Sequence, residues 1–317
     1  WGNMKNLVVL PYEDRYSQDW DRFIDSSRNG TFILKRNYME YHKDRFPDSS
    51  FIAFEGDELV ALIPGTINGT RFFSHSGLTY GGWITNERIG QLEMLELFSK
   101  LNSLLSNANI TTVIYKPVPH LYHRIPSEED LYALFILNAT LAERKVSSAI
   151  ILNKKTIFSY PRERGIRKAK KNNLRIEKFN DYEAFWQVLE LNLQNRHSVR
   201  PVHSVSEIQY LANLFPNNIL LYLAMSSYSE VLGGTVLYID HDIVHVQYIS
   251  SNEKGRAVGA LDLLFDFLVN DAYRDYRIFD FGTSCLEGGK VLDEGLIFQK
   301  EGFGGRAICY DTYAYKL

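Results

Sequence analysis

His245-Val246-Gln247-Tyr248-Ile249, followed by Ser250-Ser251-Asn252-Glu253-Lys254-Gly255-Arg256-Ala257-Val258-Gly259-Ala260, is the stretch whose reading decides the fold. The first five residues are strand-like. The remainder reads as a small basic loop, and an apolar-periodic helix is expected over 258–270, with Leu261 to Val269 as its apolar run. A second strand follows, Arg277-Ile278-Phe279-Asp280-Phe281-Gly282. The order is strand, glycine-containing loop, helix, strand. The first turn of a helix carries backbone N–H groups with no partner inside the helix, which makes it a site for anions. Lys254, Gly255, Arg256 and Gly259 just ahead of that turn suit a phosphorylated ligand. Further on the chain reads Gly295-Leu296-Ile297-Phe298-Gln299-Lys300-Glu301-Gly302-Phe303-Gly304-Gly305-Arg306.

This segment resembles the GNAT superfamily of N-acyltransferases. In that superfamily a Q/R-x-x-G-x-G/A loop wraps the pyrophosphate of acetyl-CoA. Arg256-Ala257-Val258-Gly259-Ala260-Leu261 matches it apart from Leu261, which stands where glycine or alanine is expected. The whole order, ending in Phe298-x-Lys300-x-x-Phe303-Gly304-Gly305, is similar to the Fem-type branch. That branch includes peptidoglycan aminoacyltransferases and acyltransferases found among surface-polysaccharide enzymes. The match covers roughly the last 160 residues. It implies an α/β fold of mixed sheets with tandem GNAT-like domains, and an acyl-CoA as co-substrate.

Composition sets outer limits. The chain has 317 residues, enough for one large or two ordinary domains. Apolar residues at 45% and charged residues at 23% fit a globular, water-exposed protein. A net charge of −3 gives no global attraction to nucleic acid. Cys285 and Cys309 are too few for a disulfide framework, so a reducing cytoplasm is expected. No run of about 18 apolar residues is present, so no membrane span is expected.

The elements repeat. Helices are expected at Trp20 to Ser27 and Thr31 to Arg45, and strands at Phe51 to Phe54 and Leu59 to Ile63. Asn68-Gly69 signals a hairpin turn with positive φ at both residues. A helix over Ile89 to Leu105 presents Ile89, Leu92, Leu95, Leu97, Leu101 and Leu104, and a strand follows at Thr111 to Lys116. The second half runs Ile219 to Ala224, Val231 to Ile239 and Val244 to Ile249, then a helix and a strand. Hairpin, strand, helix, strand therefore recurs at an offset of about 165 residues. Two similarly folded domains are expected, 4–155 and 156–317, with the donor site in the second. Between them, Arg162 to Lys171 holds six basic residues. They read either as a solvated helix face or as a clamp for a phosphorylated acceptor.

N-acyl transfer needs a deprotonated amine, a polarised thioester carbonyl and a protonated leaving thiol. Backbone N–H groups on a splayed strand polarise a carbonyl; the resemblance points to Val244 to Ile249, where Ile249 joins Lys254, Gly255, Arg256, Val258, Gly259 and Ala260 as donor-binding candidates. Glu287 and Asp280 are the candidate general bases. Asp280, in an apolar strand, reads equally as a buried acceptor, and Glu287 as a solvated loop residue. Tyr248 is the candidate proton donor to the thiolate; Tyr310 and Tyr313 share that chemistry, and packing is the alternative for each. His203, His245, Gln247, Lys300 and Arg306 are candidate acceptor-binding residues. His203 reads alternatively as a residue just before a helix cap, because Ser204 and Glu207 form a capping box. The histidines show no metal-ligand spacing, so no metal is expected.

These residues suit an acyl-CoA-dependent N-acyltransferase, with acetyl-CoA the first donor and an amino sugar or a nucleotide- or lipid-linked cell-envelope precursor as acceptor. The alternatives are an aminoacyl-tRNA-dependent peptidoglycan aminoacyltransferase, with tRNA as partner, and a non-catalytic binding protein.

Overall fold

A computed structural model describes residues 7–152, 156–197 and 201–317. Contacts divide the chain into unit 1, residues 1–145 with 309–317, and unit 2, residues 146–308.

Unit 1 contains β1 (Leu7–Pro11), α1 (Ser17–Ser26), α2 (Arg36–Met39), β2 (Phe51–Glu55), β3 (Glu58–Ile63), β4 (Thr66–Asn68), β5 (Arg71–Phe73), β6 (Ile84–Thr85), α3 (Gln91–Asn107), β7 (Thr112–Tyr115) and α4 (Glu129–Ile136). Strands β1-β2-β3-β6 form an antiparallel sheet. β5 lies parallel to β7 across the α3 crossover, as Arg71 faces Thr112. β8 (Thr140–Ile151) leads from unit 1 into unit 2. The chain returns in β16 (Arg306–Lys316), whose Tyr313 to Lys316 pair with β7 and place Tyr315 in the core of unit 1.

Several sequence expectations change here. The helix over Thr31 to Arg45 is broken into α2 and short 3-10 turns. Thr31 and Lys35 take extended conformations, and every residue from Ser27 to Leu34 is buried, so no solvent face exists for an amphipathic helix. The buried Arg36 guanidinium anchors the break. It reaches Glu40 and Asp48 at 3.1 Å each and lies 3.8 Å from the Tyr12 ring centre. In the β4–β5 hairpin Asn68 stays in the strand, paired with Arg71, and Gly69 alone has positive φ, at 59°. That is the demand of a II′ turn, not I′. Helix α3 buries Met94, Leu97, Phe98, Leu101 and Leu105, while Leu92 is 75% exposed.

Unit 2 contains α5 (Tyr160–Lys171), β9 (Arg175–Phe179), α6 (Glu183–His197), α7 (Val205–Leu214), β10 (Ile219–Met225), β11 (Val231–Asp240), β12 (Ile243–Ser251), α8 (Glu253–Val258), α9 (Ala260–Phe267), β13 (Ile278–Thr283), β14 (Cys285–Leu286), β15 (Val291–Leu292) and α10 (Glu294–Gly302). Its main strands run in the order β8-β13-β12-β11-β10-β9, and only β12 and β13 are parallel. A core of Leu264, Phe265, Phe279, Phe281 and Phe303 packs beneath them. Each unit therefore contains a parallel strand pair joined through helix.

The basic loop before 258–270 is itself helical. Asn252 caps α8 by accepting from the Gly255 N–H at 2.7 Å. Gly259, at φ 78°, then breaks the helix before α9. A Cβ at Gly259 would stand 2.4 Å from the Gly165 carbonyl oxygen, so the position excludes a side chain on two counts. Among the described residues no helix is long and apolar enough to cross a membrane.

Gly259→Ala should lower stability by about 1–3 kcal/mol, the scale of a strained backbone residue. A thermal-unfolding midpoint equal to that of the parent would contradict the tight α5–α9 approach.

Candidate functional site

The parallel pairing of β12 and β13 stops early. Ile243, Val244 and His245 face Ile278, Phe279 and Asp280, and no pairing continues beyond. β12 goes on along β11, but its register shifts between Val236 and Leu237, where Gln247 is the extra residue of a bulge. Beyond the parting, β12 lines a cleft of about 890 Å³ within unit 2; His245, Asp280 and the rest of β13 are not among its lining residues. Gln247, Tyr248 and Ile249 form one wall, Gly255, Arg256, Gly259 and Ala260 another, and α6 and α10 contribute Leu189, Asn192, Leu296 and Phe298.

A buried polar network holds the strands at the parting. Asp280 is fully buried. Its Oδ1 accepts from the Ser147 hydroxyl at 2.5 Å and the Gly282 N–H at 2.9 Å. Its Oδ2 lies 3.2 Å from His245 Nδ1, which favours the tautomer protonated at Nδ1. Asp280 thus reaches the parting through His245. Lys300 is 4% exposed, and its Nζ donates to the Gly282 and Thr283 carbonyls at 2.8 and 2.9 Å. Burial pulls its pKa down to about 8, with Asp280 opposing.

Tyr248 sits beneath the cleft against Trp186, ring centres 5.0 Å apart. Its oxygen accepts from the His203 N–H at 3.2 Å, which leaves its own proton to donate to His203 Nδ1 at 2.6 Å. Burial raises the phenol's pKa to about 12, so it keeps that proton near neutrality.

Of the residues singled out from the sequence, the cleft gathers Gln247, Tyr248, Ile249, Gly255, Arg256, Gly259 and Ala260. Lys254 points elsewhere: it pairs with Glu230 at 2.8 Å and lines a smaller pocket of about 500 Å³. Val258 packs beside Ala224, Leu232 and Ala260. His203 lies under Tyr248, and Glu287 is exposed in the turn joining β14 to β15, at φ 49°. Arg306 is exposed and donates to the Gly305 carbonyl. Among the described residues, no cluster of three or more His, Cys, Asp or Glu could hold a metal.

One pair was not singled out. Arg162 Nη1 meets Asp262 Oδ1 at 2.8 Å, and both line the cleft. Arg162 Nε is buried with no hydrogen-bond partner among the described residues. Asp262, in the first turn of α9, has its pKa raised by burial and lowered by Arg162, burial prevailing. The sequence signal was Arg162 in the basic run, but nothing local reveals a partner 100 positions away.

No family profile matches the chain, and no curated protein matches it in sequence. Solved structures match in fold. FemX aligns over 98% of this chain and 97% of its own, with a TM-score of 0.71 and 11% identity. L-PGS from Bacillus licheniformis aligns over 84% and 83%, with a TM-score of 0.56 and 12% identity. A tandem GNAT protein from the clavulanic acid biosynthesis pathway aligns over 98% of each chain, with a TM-score of 0.53 and 10% identity. The fold is therefore a tandem GNAT fold in its Fem-like form.

Lys300 gives a pH test. Its proton affinity is lower folded than unfolded, so the unfolded chain binds more protons between about pH 8 and pH 10.5. Stability should then rise with pH through that window. Lys116 in unit 1, also lowered to about 8 by burial, contributes the same sign. Lys300→Met should abolish part of the rise in denaturant titrations at pH 8 and pH 10; an identical rise in the variant would refute the assignment.

Proposed function

We propose that the chain is an N-acyltransferase. It takes an acyl group from acyl-CoA, with acetyl-CoA the first donor to test, and passes it to an amine on an amino sugar or a nucleotide- or lipid-linked envelope precursor. The observation that carries this reading is the cleft lined by the bulged end of β12, past its parting from β13, with a helix start on its rim. The bulge at Gln247 presents backbone that suits polarising the thioester carbonyl. The N-terminus of α9, with Arg256 and Arg162 lining the cleft beside it, suits the donor's phosphates. Asp262 is the feature that opposes a phosphate there, and Arg162 offsets its charge.

The proton inventory follows. His245, oriented by Asp280, receives the proton of the attacking amine. Tyr248, protonated near neutrality, gives a proton to the departing thiolate once its hydroxyl turns from His203 Nδ1 toward the cleft that it lines. Asp280 acts through His245, because it has no exposed surface of its own. Glu287 belongs to this scheme only if the acceptor reaches the β14–β15 turn.

A second reading changes the carrier and keeps the chemistry: an aminoacyl-tRNA donor, as in the peptidoglycan aminoacyltransferases of the Fem-type branch. A non-catalytic binding protein on this fold would gain from a cleft filled by side chains, and the cleft here is open.

Thermal-shift and calorimetric titrations with acetyl-CoA, longer acyl-CoAs and CoA test the donor. At about a hundred times Kd, a native-state ligand stabilises by about 2.7 kcal/mol. Arg162→Gln with Arg256→Gln should weaken binding, by an amount that shrinks at high salt. No response to any CoA species, with a response to aminoacyl-tRNA, would hand the site to the second reading. Once an acceptor is found, His245→Gln should lower kcat by about 10²–10⁴-fold with donor affinity retained. Full turnover in that variant would place the base elsewhere, with Glu287→Gln the next to measure.

A further inference from the structure

Helix α5 has two unlike faces. Ile166 and Ala169 are buried, Gly165 lies against Asp262, and Arg162 pairs with Asp262. Tyr160, Arg164, Arg167, Lys168 and Lys171 recur at three- and four-residue intervals, which places them on one stripe of the opposite side. All five are exposed. Among the described residues, Arg164, Lys168 and Lys171 have no carboxylate within 4.0 Å, and Arg167 meets Glu163 only at 3.8 Å. Arg167 lies over the Tyr160 ring at 5.8 Å, and Tyr160 is 70% exposed. Just before the helix, Ile157 is 83% exposed. Its segment is fixed, because the Ser159 N–H donates to the Gly302 carbonyl at 2.8 Å.

We propose that this stripe docks unit 2 on an anionic lipid surface. Two observations select a bilayer over a nucleic acid. Just ahead of the cationic helix stands an exposed aliphatic Ile157, which gains by entering an acyl-chain boundary and gains nothing from a phosphodiester backbone. Tyr160, at the start of the helix, is amphipathic, a ring suited to the headgroup level. The charge pattern fits as well. The chain as a whole carries −3, so attraction to an anionic surface must be local, and α5 supplies four outward cations without a full partner. The docking stripe and the cleft share one helix, since Arg162 lines the cleft from the other face of α5. A surface-bound acceptor would then be met close to its own bilayer. The surface itself does not depend on which donor the cleft takes.

The test is co-sedimentation with vesicles of phosphatidylglycerol and phosphatidylcholine, against vesicles of phosphatidylcholine alone and against fluorescent tRNA. Binding is expected only to the anionic vesicles, and it should fall as salt is raised. Each cation near such a surface strengthens binding about fivefold. Arg164→Glu/Lys168→Glu/Lys171→Glu should therefore weaken vesicle binding by about a hundredfold or more. Ile157→Ser/Tyr160→Ser should weaken it at every salt concentration. Circular dichroism and acetyl-CoA titration on the same variants report whether fold and cleft are intact, so a failure here is separable from a failure of the donor assignment. Parent protein that ignores anionic vesicles, a triple variant that binds them as well as the parent, or binding to tRNA in place of vesicles would each overturn the proposal.

Discussion

One buried carboxylate governs the geometry of unit 2. Asp280 sits where β12 and β13 stop pairing, with no solvent-exposed surface. Burying a charge is costly unless hydrogen bonds replace its hydration. Ser147, Gly282 and His245 supply them from three different strands. Lys300 then ties the Gly282 and Thr283 carbonyls from α10. An interlocked set of polar contacts thus sits at the point where the strands part.

Helix placement follows from close backbone approach. Gly259 splits the helical run after β12, and any Cβ there would run into the Gly165 carbonyl of α5. The split aims the N-terminus of α9 into the cleft while α8 covers β11. A continuous helix would have carried one start, at Asn252, away from that rim.

Much of this was legible in the sequence and some was not, for physical reasons. Strands such as Ile219–Met225 and Ile278–Thr283 are dense in apolar and β-branched residues, so local pattern sufficed. The resemblance carried by Arg256, Gly259 and the Phe303-Gly304-Gly305 turn pointed to the tandem fold that the solved structures share. What failed was phase. Read as a loop, Lys254 and Arg256 were equivalent; as a helix, α8 turns Lys254 toward Glu230 and Arg256 into the cleft. The basic run had the same ambiguity, resolved by Ile166 and Ala169, which set the inward face of α5 and bring Arg162 with it. The helix over Thr31 to Arg45 failed because tertiary burial overrode propensity. Pairings such as Arg162 with Asp262 lie beyond any local window.

The path of the chain has its own consequence for biosynthesis. Unit 1 begins the chain, yet the strand that completes its second sheet is β16, with Tyr315 seated in its core and bonded to Asn102 at 2.8 Å. A ribosome must make the whole of unit 2 before it makes that strand. Domains that are contiguous in sequence can close in order as they emerge. Here the first unit emerges with an open edge beside β7 and waits, so the second is free to fold first.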